Sequence, residues 1–212
     1  MLNWQQLKIL FHAIFFATGI SLINGESLAQ TSSQDRADID RIENYLNNIR
    51  TLSSNFIQVA PNGEISNGRF YLKRPGRLRF EYQPPSTVLI VSDGTYINYL
   101  DKKLGQLSQI GVYSTLLGQI IADKVELRDR VAVTSIQRRD SIISFTAIDA
   151  AEPERGALTL VFTEQPLELR KWIVKDTQGL ITSITLENMI TNSQLGAELF
   201  LRVRDEARRN LY

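Results

Sequence analysis

From Thr51 onward the chain is cut into short β-branched or aromatic runs, each bounded by residues that turn a backbone. SSNFIQVA, EISNGRFYLKR, RLRFEY, STVLIVSD, TYINYL and LGQLSQ follow one another, separated by PNG, RPG, QPP, DG and DKKLG. Val, Ile, Thr and aromatic side chains suit a pleated, half-buried surface, while Gly, Pro, Asn and Asp supply the turns. The spacing is that of an antiparallel meander. It breaks once, at STLLGQIIAD (114–123), where Leu116, Leu117, Ile120 and Ile121 fall at helical spacing and Gly118 weakens the segment. Strands resume with KVELRD, RVAVTSIQRR, SIISFTAID, GALTLVFT, LELRKWIV, LITSITLENMIT and AELFLRVR. Roughly ten to twelve strands are predicted in all. So long a meander closes or curls, because an open edge invites pairing with other chains. The expected fold is mainly β, an α+β arrangement built on a barrel or a strongly curved, incomplete one, with two helical segments to fill or cover it.

The other helical segment precedes the strands. From Asp35, the apolar residues Ile39, Ile42, Tyr45, Leu46, Ile49 and Leu52 recur at steps of three and four, opposite Arg41, Glu43, Asn47 and Asn48. Such a stripe serves equally for an ordinary docking helix and for one that covers something. Several strands are apolar on both faces: TVLIVS offers Val88 and Ile90 to one side and Leu89 and Val91 to the other, and LTLVF and RKWIV behave likewise. Two apolar faces need two covers. With so little helix, part of that surface either packs as a normal barrel core, which composition alone slightly favours, or lines a cavity.

The opening MLNWQQLKILFHAIFFATGISLINGESLAQ reads as a secretory signal, with Lys8 before an apolar run from Ile9 to Ile23 and small residues at Ser27 and Ala29. The run is too short and too interrupted for a membrane span, which takes about 20 apolar residues. Cleavage after Ala29 would leave one domain, residues 30–212. It would also remove His12, the single His of a chain with no Cys. That excludes Ser-His-Asp and Cys-His catalysis, His-based metal sites, disulfides and a lipid anchor on a signal cysteine. A net charge of +1 supplies no field to steer nucleic acid. Paired carboxylates remain possible, but the Asp and Glu residues mostly fall in turns or alternate outward along strands. No enzyme, catalytic residue, metal or cofactor is expected.

The ordered set of Tyr45-Leu46, Phe56 with Gln58, Gly68 through Arg74-Pro75, Phe80 to Tyr82 and Val91-Ser92-Asp93-Gly94 resembles the outer-membrane lipoprotein carrier family, the LolA-type periplasmic chaperones. The match runs from Ile39 to Ala122, and the later strands agree by pattern. The resemblance implies an unclosed antiparallel barrel with a helical lid over a hydrophobic cavity. It further implies a monomeric periplasmic protein that takes acylated lipoproteins from an inner-membrane ABC-type extractor and passes them to an outer-membrane acceptor lipoprotein. Leu78 stands where relatives often have Phe, and Asn98 where they tend to have Trp. The strand that some relatives add at the C-terminus is not expected after LFLRVRDEARRNLY. A regulator built on the same curved sheet, binding an anti-sigma factor or another lipidic ligand, is the alternative. Such regulators usually carry a second C-terminal domain, which is not expected in a sequence ending at Tyr212.

The stretch FYLKRPGRLRFEYQPP concentrates the question, because it sets Arg74, Arg77 and Arg79 among large apolar side chains. By strand alternation Leu78, Phe80 and Tyr82 share one face, and Arg77 and Arg79 the other, where they are expected to be solvated. On residue type alone Arg74 would be a surface arginine paired with Glu81. The resemblance instead places the family's lid-holding arginine on Arg74, bonded to backbone oxygens of 114–123 and of the N-terminal helix. The cavity and lid would then be lined by Leu78, Phe80, Tyr82, Leu116, Leu117, Ile120 and Ile121.

Overall fold

The computed structural model describes residues 32–201 and residue 203, so the expected leader lies outside the described residues. Among the described residues, eleven antiparallel strands form one sheet. They are β1 (Thr51–Val59), β2 (Ile65–Lys73), β3 (Arg77–Tyr82), β4 (Val88–Asp93), β5 (Tyr96–Asp101), β6 (Gln106–Gly111), β7 (Val131–Arg139), β8 (Ile142–Asp149), β9 (Ala157–Glu164), β10 (Leu167–Lys175) and β11 (Ile181–Thr191). Their order in space is β6-β5-β4-β3-β2-β1-β11-β10-β9-β8-β7. The chain starts at the centre, walks out to β6, crosses to the opposite edge at β7 and walks back until β11 pairs with β1. The sheet is not closed, and the fold is an open, barrel-like antiparallel one. Its free edges are poor templates for further pairing: β6 begins with the exposed, mostly polar run Gln106–Gln109, and β7 ends in Arg138-Arg139.

Helix α1 (Ser33–Asn47) starts on a reciprocal cap. The Ser32 hydroxyl accepts from the Asp35 N–H at 3.0 Å, and the Ser32 N–H donates to the Asp35 carboxylate at 3.3 Å. Its buried face carries Ile39, Ile42 and Leu46, while Ile49 lies past its end and Leu52 belongs to β1. The β6-to-β7 crossing holds a 3-10 turn (Val112–Ser114), helix α2 (Leu116–Ile120) and helix α3 (Leu127–Arg130).

Alternation in the strands builds the inner face. Along β1, Leu52, Ser54, Phe56 and Gln58 point inward and are buried. Phe56 lies opposite Gly68, where a Cβ would stand 1.9 Å from the Glu81 carbonyl oxygen and 2.8 Å from the Phe56 ring. Glycine is the residue that lets this ring lie flat against the sheet. Phe56 meets Phe80 and Tyr82 edge-on with centroids 5.2 and 5.1 Å apart, and Trp172 meets Phe70 at 5.3 Å.

Three expectations need correction. KVELRD is not a strand: Val125 and Leu127 are both buried, which mimics alternation, but Asn47 bonds both backbone groups of Val125 and no ladder forms. AELFLRVR is not a strand either, since Ala197–Phe200 is a 3-10 turn. Both neighbours of β11 are already in place, and the outer face of β4 needs a cover, which Val203 supplies by packing on Leu89 and Val91. Finally, two-sided burial holds for β4 but not for β9, whose inward residues Leu158, Leu160 and Phe162 are buried while the alternate ones are only partly so.

Candidate functional site

A cavity of about 220 Å³ lies between the inner face of the sheet and the β6-to-β7 crossing. Leu78, Phe80 and Tyr82 of β3 line it together with Trp172 and Ile184, and Leu116 and Leu117 of α2 close it from above. One end carries a charged rim of Asp149, Arg155, Lys175 and Asp176. Ile120 and Ile121 are buried in the core and are not part of the cavity wall. Ligand sites usually measure about 300–1,000 Å³, so this is a small, largely apolar void under a helical cover.

Arg74 follows directly on β2 and is 5% exposed. Its Nε donates to the Ile49 carbonyl at 2.8 Å, Nη2 to Leu46 at 3.1 Å and Ile120 at 2.7 Å, and Nη1 to Ala122 at 2.5 Å. One planar guanidinium thus joins the C-terminal end of α1 to that of α2. Helix ends leave carbonyls without intrahelical partners and carry partial negative charge, which suits a fixed fork of cationic donors. Burial brings the Arg74 pKa down to about 10, with nearby Arg50 lowering it further and Asp123 opposing, so the group stays cationic at neutral pH.

Further bonds run to the same stretch of the crossing from α1, from Arg50 just past its end and from Gly76. Arg50 reaches the Asp123 carboxylate at 2.6 Å and its carbonyl at 3.0 Å. Asn47 donates to the Val125 carbonyl at 3.0 Å, and the Leu127 N–H donates to Glu43 at 2.8 Å. The Ile121 carbonyl accepts from the Gly76 N–H at 2.9 Å. The leading part of the cover is held differently. Gly118 lets α2 press on the preceding turn, since a Cβ there would lie 2.0 Å from the Val112 carbonyl oxygen. A 3.5 Å contact from Arg155 to the Ser114 carbonyl crosses to the opposite wall. Gly118, read in sequence as a weak point, is what permits this close packing.

The other arginines of the stretch part company. Arg77 is half-buried, its Nη2 donating to the Arg74 carbonyl at 3.3 Å. Arg79, expected to be solvated, is 6% exposed. It bonds Glu81 at 2.6 Å and the Leu199 carbonyl at 3.3 Å, covered by the chain after β11. Asn98 is also buried, donating to the Val91 carbonyl at 3.3 Å and accepting from Gln109 at 3.0 Å.

Two features were not anticipated from sequence. Asp38 of α1 is fully buried and accepts from Arg41 at 3.0 Å and from Arg138 of β7 at 2.7 Å, tying the helix to the far edge of the sheet. Gln58, noted in sequence only within a family pattern, stands in the cavity wall and accepts from the Tyr82 hydroxyl at 2.7 Å. Among the described residues no helix is long and apolar enough to cross a membrane, and no cluster of His, Cys, Asp or Glu could hold a metal ion.

A family model described as "Outer membrane lipoprotein carrier protein LolA" matches residues 47–202. An outer-membrane lipoprotein carrier protein of Methylococcus capsulatus is 28% identical over 188 residues, covering 82% of this chain and 85% of that protein. An uncharacterized protein of Rickettsia prowazekii is 20% identical over 162 residues, covering 76% of this chain and 75% of its own length. Among solved structures, a DUF1329 family protein from Desulfovibrio piger superposes with a TM-score of 0.50 at 10% identity, over 79% of this chain and 96% of that one. That likeness extends to the fold.

Proposed function

Because the chain belongs to the outer membrane lipoprotein carrier (LolA) family, we propose that it is a non-enzymatic carrier that shelters the acyl chains of lipoproteins between two membranes. In this reading the leader, residues 1–29, is removed on export. The remaining domain works as a monomer in the periplasm, loaded by an inner-membrane ATP-driven extractor and emptied by an outer-membrane acceptor.

The observation that carries the reading is the bridge made by Arg74 across two helix ends, above an apolar void too small for its cargo. Burying an acyl chain yields roughly 0.8 kcal/mol per CH₂. Two or three long chains would therefore exceed the ceiling near 20 kcal/mol for non-covalent affinity, and a rigid, ready-made cavity would never release them. Here the empty state has something to lose. Cargo must displace Leu116 and Leu117 from the cavity and break part of the Arg74 network before gaining its own contacts. Net affinity becomes a small difference between large terms, set within a few kcal/mol by the closed state.

Arg74→Leu tests this directly. It removes the bridge while leaving the cavity wall intact, so the loaded state deepens relative to the closed one. The variant is expected to accept a fluorescent lipopeptide normally and to pass it to acceptor membranes at least tenfold more slowly. Transfer at the wild-type rate would rule out Arg74 as a latch.

A further inference from the structure

Resting on the carrier reading above, we propose that Gln58, oriented by Tyr82, recognises the carbonyl group through which an acyl chain joins its polar head. Gln58 is 6% exposed and is the last inward-facing polar residue of β1 before the strand ends at Val59. By register it lies opposite Ile184, which in turn lies opposite Trp172, so the row is apolar on that side, while its neighbour on β2 is Ser66. The Tyr82 hydroxyl donates to its Oε1 at 2.7 Å, which fixes the plane of the carboxamide. The amide nitrogen, with two N–H donors, has no acceptor among the described residues.

That nitrogen is not fully enclosed, so its donors border the cavity, where the acceptor oxygen of a ligand can replace water. The carboxamide is held by the half-buried Tyr82 in a cavity whose sheet-side wall is mostly aromatic and aliphatic, the other polar lining being Ser114, Thr115, Thr177 and the charged rim. The ligand chemistry that fits it has an acceptor oxygen and no charge, with hydrocarbon on one side of that oxygen and polar groups on the other. An ester or amide carbonyl meets all three requirements. The rest of the cavity agrees with this polarity. The next inward pair toward the strand ends is Thr182 with Val174, followed by the charged rim at Lys175 and Asp176. In the other direction, the row Leu78–Ser92–Ile97–Ile110 contributes three apolar wall residues. Hydrocarbon would point toward that row, the carbonyl would meet Gln58, and the head would emerge at the rim.

Ester and ether lipids of equal chain length separate this role from general greasiness. Displacement of an environment-sensitive apolar dye is measured with an ester-linked diacylglyceryl-cysteine peptide and its dialkyl ether counterpart, and with ester and ether phosphatidylethanolamine. The wild-type protein is expected to favour the ester form by about fivefold, the worth of one modest hydrogen bond. Gln58→Leu is expected to level the pair, so that ester and ether forms of equal chain length displace the dye equally. Tyr82→Phe is expected to shrink the preference, because the carboxamide is no longer held, and it carries the comparison should Gln58→Leu fail to fold. A preference confined to the peptide pair would assign the site to lipoproteins, whereas one shared with the phospholipids would assign it to acyl esters at large. Equal displacement by ester and ether forms, or a preference that survives Gln58→Leu, overturns this proposal alone. A wild-type protein from which none of the four lipids displaces dye removes the carrier reading, and the Gln58 role falls with it.

Discussion

At the scale of single residues, Arg74 and Arg79 lie five positions apart and do opposite work. Arg74 donates to four backbone oxygens on the cavity side, and Arg79 is sealed under the chain after β11 on the outer side. Removing Arg79's side chain strips a charge-assisted bond from Glu81 and uncovers a carbonyl at Leu199. Arg79→Ala is therefore expected to lower stability by about 1–3 kcal/mol in chemical denaturation, without changing dye uptake by the cavity. Gly118→Ala is expected to act the other way: the added methyl meets the Val112 carbonyl, so α2 must lift, and apolar dye binding should rise with little loss of sheet stability. What a linear reading could see here follows from physics. Side-chain type reveals which face of β3 is apolar, because alternation is local. It does not reveal what Arg74 binds, since every residue carries a carbonyl and the four used are spread from Leu46 to Ala122. Nor does it reveal that Arg79 is buried, because its cover arrives 120 residues later.

At the scale of elements, the cover has a tightly held half and a loosely held one. From Ile120 to Leu127 it is stitched to α1 and to the start of β3, while Leu116 and Leu117 rest on the cavity. Leu117→Glu is therefore expected to abolish uptake of hydrocarbon probes and leave the far-ultraviolet circular dichroism of the sheet unchanged. Ile120→Glu places a charge in the core instead, and cooperative loss of the fold is expected on heating. Helix α1 is also fastened at its start, where Arg138 of β7 bonds Asp35 at 2.7 Å as well as Asp38. The Arg138 hydrogen bond, with Ser32 assisting, holds the Asp35 carboxyl below its ordinary value of 3.8. A carboxyl with a lowered folded-state pKa stabilises the fold above its ordinary pKa and loses that contribution as pH falls through the lowered one. Hydrogen exchange in the first turns of α1 should thus accelerate below that ordinary value before exchange in β1 or β11 does. Arg138→Ala should bring the same acceleration at neutral pH. Periodicity made α1 legible because its apolar stripe is local, and it overran the helix only where Ile49 and Leu52 continue the spacing by coincidence. KVELRD misled for the complementary reason: two buried residues two apart look like a strand whether or not a ladder exists to receive them.

At the scale of the whole molecule, the turns between consecutive strands are written in sequence, and hairpin order from β1 to β6 and from β7 to β11 could be read from them. The pairing of β1 with β11 could not, because it is set by where the two halves meet. That seam is the mechanical middle of the molecule, with partners on both sides of each strand, whereas β6 and β7 have one neighbour each. Amide exchange is expected to be slowest in β1, β2 and β11 and fastest in β6, and uniform protection across all eleven strands would contradict the open topology. The seam also sets a timetable. During synthesis β1 emerges first among the strands and can fold back on β2 at once, yet its other flank waits for the last strand of all. An unfinished copy is therefore not a smaller version of the finished one: it holds six strands with a raw centre, competent to stick to whatever extended segment comes by. Completion of the chain, and not the addition of any particular interior contact, is the event that makes this protein safe to release.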